Sequence, residues 1–137
     1  MKPKYFLPNI AGSTALLASL IIVGFAAPSA QALVLKGSDT AGTSSFTSPL
    51  TGAAAGWVTT AGTGTGVAPV SGTNYFTGAF NLRTPANATS VTFPGDSLSV
   101  DTGGRFIFKN TGASTITVNN LILNGASTEI AISNGDT

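Results

Sequence analysis

Four charged side chains fall close together in the second half of the 137-residue chain: Asp96, Asp101, Arg105 and Lys109. Two carboxylates beside two cations are residue types that cleave glycans, one carboxyl donating a proton while the other activates water or attacks the sugar. The same carboxylates, joined by neighbouring carbonyls, offer a start on a calcium site. Calcium takes about six to eight oxygens, and the chain has no D-x-D-x-D-G run and no glycine-rich nonapeptide. A structural role is the better reading. Asp96 and Asp101 lie in Pro94-Gly95-Asp96 and Asp101-Thr102-Gly103-Gly104, where Asp accepts turn geometry. Arg105 and Lys109 flank Phe106-Ile107-Phe108 and blunt its tendency to aggregate. No catalytic residue, metal ligand or cofactor is expected, and the chain is read as a non-enzyme.

Composition removes other chemistry. There is no Cys and no His, so disulfides, thiol catalysis, Cys/His zinc sites and the usual nucleophile–imidazole triads are absent. The formal charge is +1 with no basic run, which leaves no electrostatic footprint for nucleic acid. Gly62-x-Gly64-x-Gly66 is followed by neither Lys nor a helical pattern, so it does not read as a phosphate cradle. Asn87-Ala88-Thr89 is a glycosylation sequon by its letters only. One binding surface is suggested. Trp57 and Tyr75, with Phe76 and Phe80 nearby, offer rings on which a cell-surface glycan could stack, Trp57 and Tyr75 being the contacts. The competing fate of such rings is core or cap packing.

The first 32 residues read as an address, a signal-peptide helix ahead of the mature chain. Lys2 and Lys4 give a positive start, Ile10 to Ala27 is nearly free of polar residues, and Pro28 precedes Ala30-Gln31-Ala32. Positive, apolar, then small-x-small is the order of a secretory signal peptide. Cleavage is expected after Ala32, leaving Leu33 as the mature N-terminus, with contact to the membrane only during export. The rival is an uncleaved anchor, whose apolar core would here be diluted by Gly12, Ser13, Thr14 and Gly24.

From Leu33 onward, 53 of 105 residues are Thr, Gly, Ser or Asn. Residues that furnish helix surfaces are too sparse, and short runs of Val, Ile, Phe and Thr are punctuated by Gly, Asn, Pro and Asp, so the mature chain is expected to be all-β. Residues 33–89 read as a loop-rich N-terminal cap with short strands. From Ser90 the alternation sharpens: Val91 and Phe93, Leu98 and Val100, Phe106 and Phe108, Ile116 and Val118, Leu121 and Leu123, Ile130 and Ile132. Period two places each pair on one face of its strand. The pairs recur: Leu98 to Leu121, Phe106 to Ile130 and Phe93 to Val118 are 23, 24 and 25 positions apart. Such spacing reads as the start of a parallel β-helix, about two coils over residues 90–137. A β-sandwich with strands every ~8–12 residues is the alternative. One coil buries too little alone, and about three repeats are usually needed. The chain is therefore expected to be the front of a longer protein or to stack on further coils of the same or another chain.

Ile116-Thr117-Val118-Asn119-Asn120-Leu121-Ile122-Leu123-Asn124-Gly125 resembles the "TVNNLxLxGG" phrase of bacterial autotransporter-associated β-strand repeats. Leu82-Arg83-Thr84-Pro85 and Phe93 to Val100 resemble the lead-in to those repeats. The likeness spans about residues 74–136. It departs at Ala126, where the phrase has a second Gly, and no membrane-embedded barrel follows. The resemblance implies a secreted or cell-surface structural protein and brings no catalytic residues with it.

Overall fold

The computed structural model describes residues 31–47, 56–87, 90–109 and 112–133. The apolar stretch read as a signal-peptide helix, and Ala30, lie outside them. The described residues form ten strands and no helix: β1 Gln31–Leu35, β2 Trp57–Val58, β3 Thr73–Phe76, β4 Asn81–Arg83, β5 Ser90–Thr92, β6 Ser97–Asp101, β7 Arg105–Phe108, β8 Thr115–Thr117, β9 Leu121–Asn124 and β10 Glu129–Ile132.

Three sheets result, ordered β2-β1-β3-β6-β9, β4-β7-β10 and β5-β8. Every pairing is parallel except β1 with β2. From β3 onward each strand pairs with the third strand after it, as Leu98 with Leu121, Phe106 with Ile130 and Val91 with Ile116. The first two are the pairs that the sequence spacing joins. Pairing after Ser90 is parallel throughout, which is not the back-and-forth pairing of a sandwich. Parallel neighbours need long crossovers, and here the intervening two strands supply them.

The parallel ladder starts earlier than the sequence pattern suggests. β1 already lies parallel to β3, with Gln31 beside Thr73, and β3 and β4 pair with β6 and β7. Strands before residue 87 and strands after Ser90 thus share two of the three sheets. The period was hidden because the step from β1 to β3 is 42 residues (Gln31 to Thr73), lengthened by the segment carrying β2.

Side chains bind the same neighbours that the backbone pairs. Ser97 Oγ donates to Asn74 Oδ1 at 2.7 Å, the Asp101 N–H to Thr77 Oγ1 at 3.0 Å, and the Lys109 N–H to Thr84 Oγ1 at 3.0 Å. These partners are 23, 24 and 25 residues apart. Short polar residues thus satisfy buried groups that a helix-free interior would otherwise leave bare, which is how a Thr/Ser/Asn-rich chain tolerates burial.

The core runs through Leu33, Leu35, Tyr75, Leu82, Phe93, Leu98, Val100 and Phe106, with Val91, Phe108, Ile116 and Val118 packed against it. At one end a column of rings closes it. Trp57 meets Tyr75 edge-on at 4.8 Å, Tyr75 meets Phe93 at 5.2 Å, and Phe46 meets Phe93 and Phe106 at 5.2 and 5.3 Å. Gly95 lets this column form: a Cβ there would stand 2.5 Å from the Tyr75 ring and 2.6 Å from that of Phe93.

Candidate functional site

At the closed end the sheets finish differently. β1 is covered by antiparallel β2, and the other edge of β2 is taken by Val67, which exchanges backbone hydrogen bonds with Trp57 at 2.9 and 3.0 Å. The edge of β4 has no strand beyond it among the described residues, and residues 38–45 take its place. The Asp39 N–H donates to Asn81 O at 2.8 Å, continuing the ladder for one bond. The Asn81 N–H donates to Ser38 Oγ at 3.0 Å, the Arg83 N–H to Asp39 Oδ2 at 2.9 Å, and Ser44 Oγ to Arg83 O at 2.8 Å. Side-chain oxygens thus occupy the positions that backbone groups of a preceding strand would fill.

The Asp39 carboxylate holds this arrangement. It also accepts the Ser45 N–H at 2.9 Å and Ser45 Oγ–H at 2.7 Å. Ser45 in turn accepts the Gly56 N–H at its Oγ, and its carbonyl takes the Trp57 indole N–H at 2.7 Å. Lys109 reaches the loop from the end of β7, its Nζ donating to Ala41 O at 2.7 Å and Thr43 O at 3.0 Å. Both charged residues are only 3% exposed. Burial pushes the Asp39 carboxyl above its ordinary range, against the pull of the Arg83 and Ser45 hydrogen bonds and the Lys109 charge. Burial likewise pushes the Lys109 ammonium down, aided by the Arg83 charge and opposed by Asp39. The same loop drives Phe46 into the core between Phe93 and Phe106.

The four charged residues singled out from the sequence are not gathered into one site; each serves a local bond. Asp96 accepts the Gly72 N–H, and Asp101 accepts the Gly78 N–H, Ser99 Oγ–H and Asn124 Nδ2–H. Arg105 grips Glu129 in the next strand at 2.7 and 3.1 Å, an exposed pair, while Lys109 faces the Asp39 loop. Among the described residues no three His, Cys, Asp or Glu converge on a metal position.

Trp57 and Tyr75, expected as glycan contacts, face the interior and not the surface. Both are 0% exposed. The indole N–H is spent on Ser45, and the Tyr75 hydroxyl bonds both the N–H and the carbonyl of Val70. Both rings pack within the core, Trp57 on Tyr75 and Tyr75 on Phe93. A cleft of about 510 Å³ does lie beside them, lined by Leu33, Val58, Val67 and Val70 among others.

The end formed by β9 and β10 is the opposite of the closed one. β6 is buried along most of its length, whereas every residue of β9 is exposed. Leu121, Ile122, Leu123, Ile130 and Ile132 are 38–69% exposed, although four of them repeat the alternation that is buried upstream. Between Gly112 and Ser133 the only charge is Glu129, and there is no Pro or Lys, so this edge lacks the usual guards against strand pairing.

Asp39, Ser38, Ser44 and Ser45 are residues that sequence reasoning missed. Their partners lie across the chain, Arg83 being 44 positions from Asp39, and no spacing signals such a contact. The single clue is a lone acid in the Gly37-to-Ser45 run of small residues. No family model matches the chain, and neither a curated protein nor a solved structure matches it.

Proposed function

We propose that the chain is the closed N-terminal end of a β-helical scaffold, exported to the cell surface or beyond, that binds further coils and performs no chemistry of its own. One observation carries this reading: the two ends of the parallel ladder are unlike. One is sealed by β2, the Asp39 loop and Phe46; the other presents bare strands with exposed Leu and Ile. In stacked-repeat proteins each repeat buries its apolar lining on its neighbours, and terminal repeats are modified to stop the stack. The 23–25-residue register and the side-chain bonds that follow it support the coil reading. Export rests on the order Lys2, Lys4, apolar stretch, Ala30-Gln31-Ala32, and the likeness to autotransporter-associated repeats agrees with it.

The test is to lengthen the stack. A second copy of residues 98–120, one repeat in the Leu98–Leu121 register and carrying β6 from Leu98 with β7 and β8, is inserted between Asn120 and Leu121. A coil architecture accepts the insertion in register, and the variant unfolds cooperatively at a temperature no lower than the parent. An insertion that leaves the protein unfolded by circular dichroism overturns the reading, because a domain of fixed outline has no place for an added coil.

A further inference from the structure

The Asp39 loop does more than finish an edge. In the ladder, β10 precedes nothing and β4 follows nothing among the described strands, so the open end of one copy is a chemical match for an uncovered closed end of another. The partner would be parallel, as β4 is to β7 and β7 to β10. Contacts of this head-to-tail kind do not close on themselves and generate filaments. What stands in the way is specific. Asn81 and Arg83, the edge residues of β4, have their N–H and carbonyl groups taken by Ser38, Asp39 and Ser44.

We propose that the Asp39 loop is a stop against head-to-tail assembly, denying the β4 edge to the β10 edge of a second copy so that the stack grows from one end only. Resting on the scaffold reading above, it adds the partner that is refused. The Asp39 carboxylate suits the role. Its oxygen replaces the carbonyl that an incoming strand would offer to the Arg83 N–H, and its bonds to Ser45 fix the loop that delivers it. Lys109 then holds the far side of the loop by two carbonyls.

The experiment uses the mature chain, Leu33 to Thr137, in four forms: wild type, Asp39→Ala, Asp39→Ala with Ile132→Lys, and Ser38→Ala with Ser44→Ala. Sedimentation velocity and negative-stain microscopy report size and shape, and amide exchange at Asn81 and Arg83 reports the lock. Wild type is expected to form no filament and no species beyond a dimer. Asp39→Ala is expected to expose both amides and to form oligomers that lengthen with concentration. Ile132→Lys, which charges the open edge, is expected to reverse that growth at least tenfold in concentration. If Asp39→Ala does not fold, the double Ser variant is read in its place, and amorphous aggregate that Ile132→Lys leaves unchanged counts as unfolding. Filaments of wild type, amides as protected in the variants as in wild type, or exposed amides without growth would each overturn the proposal. None of these results bears on whether an inserted coil is accepted, so the two readings fail separately.

Discussion

The Asp39 carboxylate accepts the backbone N–H of Arg83 at 2.9 Å, 44 residues away in the chain. A side chain thereby completes a sheet edge that the backbone leaves unfinished, and two buried donors on Ser45 depend on the same group. An unsatisfied buried donor costs about 1–3 kcal/mol. Asp39→Ala strands the Arg83 and Ser45 amides together, so a loss of about 2–4 kcal/mol is expected in urea unfolding of the mature chain. A loss under about 0.5 kcal/mol, the size of an ordinary surface change, would show that the loop is held by something else.

The same residues set the response to pH. Asp39 has its folded pKa raised, so the folded chain holds that proton more tightly than the unfolded one. Its contribution is fully present below the ordinary carboxylate pKa and is lost as pH rises through the raised value. Lys109 has its folded pKa lowered. The unfolded chain then binds that proton more tightly, and stability increases as pH climbs from the lowered value to the ordinary lysine one. Melting temperature followed across this range should therefore fall on the acid side and rise on the alkaline side. Asp39→Asn should flatten the first slope and Lys109→Met the second; slopes that survive both changes would assign the effect to other groups.

Trp57 and Tyr75 belong to the ring column and not to a surface. Truncating either to Ala is expected to cost about 3–5 kcal/mol, the usual penalty for a buried large ring. Small domains have about 5–15 kcal/mol in all, so either variant should unfold at markedly lower denaturant. Retention of wild type on a glycan array that Tyr75→Ala abolishes without loss of stability would restore the platform role.

Gly95 is fixed by space. It lies against the Tyr75 and Phe93 rings with no room for a methyl group. Gly95→Ala must push the rings apart, and overpacking of this kind costs about 1–3 kcal/mol. A lower melting temperature with a changed near-ultraviolet spectrum is expected; unchanged spectra would mean that the rings yield freely.

Processing after Ala32 should leave Leu33 first, which N-terminal sequencing of secreted protein would show; a chain still beginning at Met1 would refute it. Gln31 and Ala32 are exposed while Leu33 and Leu35 are buried. Yet both flanks of the expected bond pair with β3, Ala32 beside Asn74 and Leu33 beside Tyr75. Purified folded precursor should thus resist signal peptidase, and denatured precursor should be cut.

Much of the ladder was written in local pattern. Alternation at Leu98 and Val100 or Phe106 and Phe108 names the inward face because a strand has period two, and a spacing near 24 names the neighbour because strands at a nearly constant interval pair in parallel. The same pattern failed to say that Leu121 and Ile130 are exposed, since alternation records which side faces inward and not whether anything lies on top. It also misplaced the start of the ladder, because the long excursion between β1 and β3 breaks the period.

By itself the sequence determined strand content, the spacing of the alternating pairs and the absence of Cys and His; these follow from residue type and from neighbours a few positions away, whereas the parallel sense of the pairing was left to the fold. Tertiary structure alone decided that Trp57 and Tyr75 are interior, that Asp96, Asp101, Arg105 and Lys109 serve separate bonds, and that Asp39 closes β4. Such contacts join residues tens of positions apart through a chain path of irregular loops, and only the folded geometry fixes which distant donor an isolated carboxylate meets.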